Sequence, residues 1–263
     1  MDIIQAHATK NLCYRAAKKM TPAGIVVHST GANNPNLRRY VDCPDLLGKN
    51  PYGNHWNNPK PEGRKVCVHA FIGYDKDQNL RVAEILPLNY CCWGVGSGKK
   101  GSYNFQPPFI QFEICEDDLK DEAYYRKAFS LAAEYCAHLC KKFGLSVADI
   151  VSHQEAHRRG YGSNHGDPEH WMSRFGETMD DLRRKVEALL RAEPSTPALT
   201  AGTLVAIAQD ATYYDGKPIP AWVKKQRWYL KADPNGDRAV IDRNEADNNA
   251  ICSPIHVKFI RAV

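Results

Sequence analysis

Three residues in the first two-thirds of the chain have the types and surroundings of metal ligands. His28 lies in the apolar run GIVVHST (24–30), His153 closes ADIVSH (148–153), and Asp167 follows shortly after, directly before Pro168. Two imidazoles and a carboxylate suit zinc, because three protein ligands leave a fourth position open to water. Strand ends and the loops that follow them hold such ligands on a rigid sheet while leaving them open to a substrate. HQEAH (153–157) also spaces two histidines four residues apart, the pattern of a helical ligand pair. Its glutamate stands third instead of second and the preceding DIVS reads as a strand end, so His157 is expected to play a supporting or surface role. No two cysteines have CxxC spacing, which sets aside a cysteine zinc site. The nine cysteines are odd in number and include the adjacent Cys91 and Cys92, so they read as buried, reduced thiols.

The elements that must carry these residues can be read from periodicity. GIVVHST is a short buried strand, VCVHAFIGYD (66–75) and NLRVAEILP (79–87) form a hairpin across KDQ, and FIQFEICE (109–116) alternates as a further strand. Tyr124, Ala128, Leu131, Tyr135, Leu139 and Phe143 recur at three- and four-residue steps, predicting a helix over 118–143 that Gly144 stops. A short strand at 148–153 and a closing helix at 176–190 complete an α/β domain, a mixed sheet flanked by helices, over residues 1–190. RAEPSTPA (191–198) then reads as a linker. Residues 199–263 show short strands broken by Gly, Pro, Asp and Asn, the pattern of a small all-β barrel.

Composition narrows the function classes. The 263 residues are 43% hydrophobic and 25% charged with a net charge of +5, enough chain for a sizeable core and too mild a charge to suggest a nucleic-acid partner. No apolar run is long enough to span a bilayer. MDIIQAHATK lacks a basic n-region followed by an apolar stretch, so no signal peptide is visible and the expectation is synthesis in a cytoplasm.

The order GIVVHST, VHAFIG, CWGVGSG, IQFEI and VSHQE…HGDPEHW over about residues 20–190 resembles the zinc-dependent N-acetylmuramoyl-L-alanine amidases of type 2, the family that includes peptidoglycan recognition proteins. The resemblance implies that His28, His153 and Asp167 hold one zinc ion and that peptidoglycan is the substrate. It places Glu113 at a catalytic acidic position, His165 where relatives usually carry Lys, and His69 where some carry a catalytic Tyr. Gly94 after Trp93 departs from the usual Trp-His pair. In that chemistry a carboxylate relays the proton of water to the leaving amine, and a donor such as His165 or His69 stabilises the oxyanion. Tyr52, Trp56 and Trp93 are candidate sugar-stacking residues.

Residues 199–263 resemble the bacterial SH3-like modules of cell-wall hydrolases, with Tyr213, Tyr214, Trp222 and Trp228 as candidate wall-binding aromatics. This layout looks like a phage or prophage endolysin, which implies synthesis in the bacterial host cytoplasm without a signal peptide and action at the wall after release. A recognition protein that only grips muropeptides and a zinc peptidase acting on stem peptides remain alternatives.

Overall fold

The structure is a computed structural model that describes residues 2–192, 199–243 and 250–263, so positions 193–198 of the expected linker lie outside the described residues. The chain separates into two compact units, Met1–Arg191 and Ala192–Val263.

In the first unit the strands are β1 (Ile3–Gln5), β2 (Ile25–Asn33), β3 (Ala70–Tyr74), β4 (Leu80–Glu84), β5 (Ile110–Glu116) and β6 (Ile150–Ser152). The helices are α1 (Leu12–Ala16), α2 (Pro44–Leu47), α3 (Glu122–Phe143), α4 (His153–Arg159), α5 (Glu169–Met172) and α6 (Met179–Arg191). The strands form one mixed sheet in the order β1-β4-β3-β5-β2-β6. Only β3–β4 is antiparallel among these pairs, and it is the hairpin expected from the sequence. Asp75 shapes its turn by accepting the backbone N–H groups of Asp77 and Asn79.

Alternation along the strands sorts side chains between two faces. Ile25 and Val27 of β2 and Ile110, Phe112 and Ile114 of β5 pack with the apolar stripe of α3 in one core. Gln111 and Glu113, the intervening residues of β5, therefore point to the opposite face. Helix α3 starts where the Asp121 carboxylate accepts the Tyr124 N–H and stops at Gly144, whose φ of 68° suits a residue without Cβ.

Two local expectations are corrected. His153 does not close a strand: β6 ends at Ser152 and His153 is the first residue of α4. The cause is a capping box, in which the Ser152 hydroxyl accepts the Glu155 N–H and the Glu155 carboxylate accepts the Ser152 N–H. The three-residue strand β1, parallel to β4, was not expected, since so short a segment carries no readable period.

The second unit holds β7 (Leu204–Ile207), β8 (Arg227–Leu230), β9 (Arg238–Asp242), β10 (Ala250–His256) and β11 (Ile260–Ala262) in an antiparallel sheet ordered β10-β9-β8-β7-β11 among the described residues. Val205, Ile207, Trp228, Leu230, Ile241 and Ile255 fill its core. One stretch of this unit expected to be all strand and turn, WVKKQRWYLKAD (222–233), is partly helical: Pro220 precedes a single turn, α7 (Ala221–Lys224), and pairing begins only at Arg227.

Candidate metal centre

The parallel pairing of β5, β2 and β6 sets three chemically useful residues side by side. His28 of β2 lies in register with Glu113 of β5, and Val27 pairs with Ser152, so that the chain leaving β6 places His153 next to His28. His153 lies just past the carboxyl end of β6, whereas His28 and Glu113 sit within β2 and β5 on the face turned away from α3, so His28 does not end its strand as expected. The loop after α4 brings in Asp167. That loop is anchored by Trp171, which is fully buried and meets the rings of Tyr125 and Phe129 edge-on at 5.4 and 5.2 Å.

Asp167 bridges the two imidazoles. Its Oδ2 is 3.0 Å from Nδ1 of His28 and its Oδ1 is 3.2 Å from Nδ1 of His153. One ligand atom from each of the three residues falls within 4.8 Å of the others. Burial pushes the Asp167 carboxyl up, but the bonds to His153 and His28 outweigh it and hold the group well below the usual carboxylate range.

The far side of each ring decides what the near side can do. Nε2 of His28 is 3.2 Å from Oε1 of Gln111, and the Gln111 amide is oriented by donating to Oδ1 of Asn104 at 2.9 Å. Asn104 Oδ1 also accepts the N–H groups of Gly94 and Val95. Nε2 of His153 faces the carbonyl of Val95 at 3.1 Å. A carbonyl oxygen only accepts, so each ring offers it a proton on Nε2; loss of the Nδ1 proton that bonds Asp167 then frees a lone pair on the ligand side of each ring. Two lone pairs and a carboxylate aimed at one point repel unless a cation lies among them. The donor set therefore fits a bound zinc ion, with the other ring nitrogens held as metal-ligating histidines usually are.

These residues floor a cleft of about 470 Å³ that is also lined by Thr30, Arg64, Glu113, His165 and His170. Glu113 is half-buried and its Oε2 has no partner among the described residues. Burial raises its carboxyl well above the ordinary range, repulsion from Asp167 and Glu116 adds to this, and Arg64 opposes it. His165 is exposed, with its ring 4.6 Å from that of His153 and its Nδ1 3.0 Å from Ser163 Oγ.

Other expected site residues fall elsewhere. His69 is fully buried outside the cleft lining: its Nδ1 accepts the Gln111 N–H at 3.0 Å and its Nε2 donates to the Tyr90 carbonyl at 2.8 Å. With both nitrogens engaged by backbone, it has nothing to offer a substrate. His157, although helical, is exposed and bonds the Gly162 carbonyl through Nδ1, away from the three ligands. Trp56 lines the cleft but is largely buried, edge-on to Phe71. Trp93 packs partly against the core and Tyr52 is 83% exposed, and neither lines the cleft. In the second unit Trp228 is a core residue whose indole N–H donates to the Val223 carbonyl. Trp222 is 48% exposed, and Tyr213 and Tyr214 line a small cavity with Arg238.

Sequence reasoning missed His170 and Glu116, which pair at 3.1 Å at the cleft, with Ser29 donating to Glu116. It also missed Gln111 and Asn104. A polar Gln inside the apolar run FIQFEI was the one available signal.

A family model described as N-acetylmuramoyl-L-alanine amidase matches residues 18–170, a span that includes every residue lining the cleft. A probable N-acetylmuramoyl-L-alanine amidase of Bacillus licheniformis is 27% identical over 171 residues, 64% of this chain and 42% of that protein. The N-acetylmuramoyl-L-alanine amidase CwlA of a Bacillus species is 28% identical over 137 residues, 52% of this chain and 45% of that protein. The chain thus spans less than half the length of the curated relatives it matches. Among solved structures, the Staphylococcus aureus hydrolase AmiA in complex with its ligand aligns with a TM-score of 0.51 at 22% identity, covering 72% of this chain and 83% of that one. A mutant endolysin from Bacillus subtilis aligns at 0.50 with 22% identity, covering 71% and 99%. At such identities the likeness is one of fold.

Proposed function

The chain belongs to the N-acetylmuramoyl-L-alanine amidase family, and from that premise we propose that it hydrolyses the amide between N-acetylmuramic acid and L-alanine in peptidoglycan, with zinc held by His28, His153 and Asp167. The observation that carries the reading is the convergence of two Nδ1 atoms and a carboxylate beside a Glu113 oxygen that has no partner among the described residues.

Zinc, when bound there, supplies a Lewis acid for the scissile carbonyl and lowers the pKa of water toward about 7. The chain's own residues do the rest. Gln111 and the Val95 carbonyl keep the imidazole protons on Nε2, so both Nδ1 atoms stay available as donors to the metal. Glu113 takes the proton of the attacking water on Oε2 and delivers it to the leaving nitrogen, which departs as the amine of L-alanine. His165, on the open side of the cleft, donates to the oxygen that becomes negative as the carbonyl turns tetrahedral. The second unit is proposed to be an SH3-like wall-binding module and the whole chain a phage or prophage endolysin. A mild positive charge suits an anionic wall, and the exposed Trp222 and the Tyr214 cavity offer surfaces for it.

Purified protein incubated with bacterial walls is expected to release L-alanine amino termini without new reducing sugar ends. The activity should vanish with chelator and return with zinc. New reducing ends would overturn the assignment in favour of glycosidase chemistry.

A further inference from the structure

The turn that follows α4 sets one hydroxyl between a proposed zinc ligand and the proposed oxyanion donor. Ser163 Oγ lies 3.1 Å from Nε2 of His153, 3.0 Å from Nδ1 of His165 and 3.1 Å from the Val95 carbonyl oxygen. Its place is fixed by the backbone around it. Gly160 ends α4 with a φ of 90°, the Tyr161 N–H returns to the Ala156 carbonyl at 2.8 Å, and the Ser163 N–H donates to the Val95 carbonyl at 2.9 Å. On the facing loop a Cβ at Gly96 would come within 2.7 Å of Ser163 Oγ, so the hydroxyl occupies space that a glycine leaves open. His165, in contrast, is exposed, and Ser163 is the one hydrogen-bond partner of its ring among the described residues.

Counting protons gives these bonds a direction. A carbonyl oxygen has two lone pairs and donates nothing. At Val95 they are taken by the Ser163 N–H at 2.9 Å and by the Nε2–H of His153 at 3.1 Å. The single hydroxyl proton of Ser163 therefore goes to Nδ1 of His165, and its oxygen remains a second acceptor for the His153 N–H. A neutral imidazole that accepts on Nδ1 carries its proton on Nε2, across the ring. His165 lines the cleft, and the opposite tautomer would turn a lone pair toward an oxygen that is gaining negative charge. We propose that Ser163 is a positioning residue for the reaction: its hydroxyl holds the His165 ring in one orientation and in the Nε2–H form, so that the ring offers the substrate a proton. The inference rests on the amidase reading, in which His165 is the oxyanion donor. An exposed ring held before the substrate arrives loses no orientation at the moment of reaction.

The test is a mutant cycle in the full chain: S163A, H165A and the double variant, with steady-state kinetics on a soluble muropeptide and metal analysis of each protein. Ser163→Ala keeps the backbone bond to Val95 and should lower kcat about tenfold, with KM within about twofold and zinc stoichiometry unchanged. In the His165→Ala background the same serine change should cost less than about twofold further, because the group it positions is gone. A tenfold cost in both backgrounds would overturn the proposal, since Ser163 would then act without His165, and so would an unchanged kcat in S163A. Loss of zinc from S163A would overturn it as well, by assigning the hydroxyl to the orientation of His153. A second measurement needs no turnover. Long-range proton–nitrogen NMR of the full chain, with the ring neutral, should find His165 in the Nε2–H form with Nδ1 accepting a hydrogen bond, and a mixture of both forms in S163A. A proton on Nδ1 of the neutral wild-type ring would refute the direction assigned to the bond. The Nε2–H form in a protein that cleaves no muropeptide would leave that direction standing and defeat the amidase reading instead.

Discussion

A carboxyl oxygen buried without a partner is costly, and Glu113 Oε2 sits in that condition at the floor of a polar cleft. The cost is intelligible if that oxygen is reserved for a proton in transit. Glu113→Gln keeps the shape and removes the base, so it should lower kcat by about 10²- to 10⁴-fold while zinc stoichiometry stays near that of the wild type, as read by metal analysis of the purified variant. Joint loss of metal and activity would mean that Glu113 holds the site together instead of acting in it. His69 shows the reverse outcome. The resemblance placed it where some relatives carry a catalytic Tyr, but burial lowers its pKa from 6.5 to about 4, against the two backbone hydrogen bonds that raise it. The unfolded chain takes up the proton first as pH falls. The stability His69 contributes is therefore complete above about pH 6.5 and is lost progressively down to about pH 4, up to roughly 3 kcal/mol. NMR of the imidazole should show a neutral ring with its proton on Nε2 throughout that window, and a midpoint near 6.5 would refute the burial argument. The candidate ligand types were legible because His28 and His153 stand within or directly beside readable elements, with Asp167 just before a proline. Gln111, Asn104, Glu116 and His170 were not, because only the fold reveals that a polar residue is enclosed and against what.

Strands with clear alternation and the long apolar stripe of α3 were legible for the physical reason that period reports which face is buried. The element that mattered most for the site was not. Helix α4 begins at His153 itself, and its signal was the capping-box spacing of Ser152 and Glu155, hidden by the apolar residues ahead of it. One turn along that helix His157 is carried to the surface, so helical spacing did not make a ligand pair. The loop between β4 and β5 shows a similar economy. The resemblance led to a His being expected after Trp93; at Gly94 a Cβ would lie 2.5 Å from Gln111 Oε1 and 2.9 Å from a Val68 methyl, leaving no room for a side chain without a shift of Gln111. Gly94→Ala should push the glutamine off His28 and loosen the orientation of that ring. Zinc affinity, measured by competition with a chromogenic chelator, is expected to fall about 10- to 100-fold, the range found when groups supporting a metal ligand are lost. Unchanged affinity would show that Gln111 adapts without consequence for His28.

At the scale of the whole molecule, the first unit contains its own cores on both faces of its sheet and every residue lining the cleft. Nothing in that chemistry requires residues beyond Arg191. The second unit has a separate core built on Val205, Trp228 and Ile241, and spends only part of its aromatic content there: Trp222 is left exposed and the Tyr214 ring lies under the Arg238 guanidinium at 4.2 Å beside a small cavity. A second binding unit on one chain acts through effective concentration, which matters on an insoluble wall and not on a small soluble peptide. Ending the chain after Arg191 should therefore leave cleavage of a soluble muropeptide within about twofold of the full chain, while binding to sedimented walls weakens by at least about tenfold. Pull-down with purified walls and parallel kinetics on the soluble substrate separate the two effects. Equal losses in both would mean that the second unit supports the first structurally, and the proposed division of labour between catalysis and wall binding would fall.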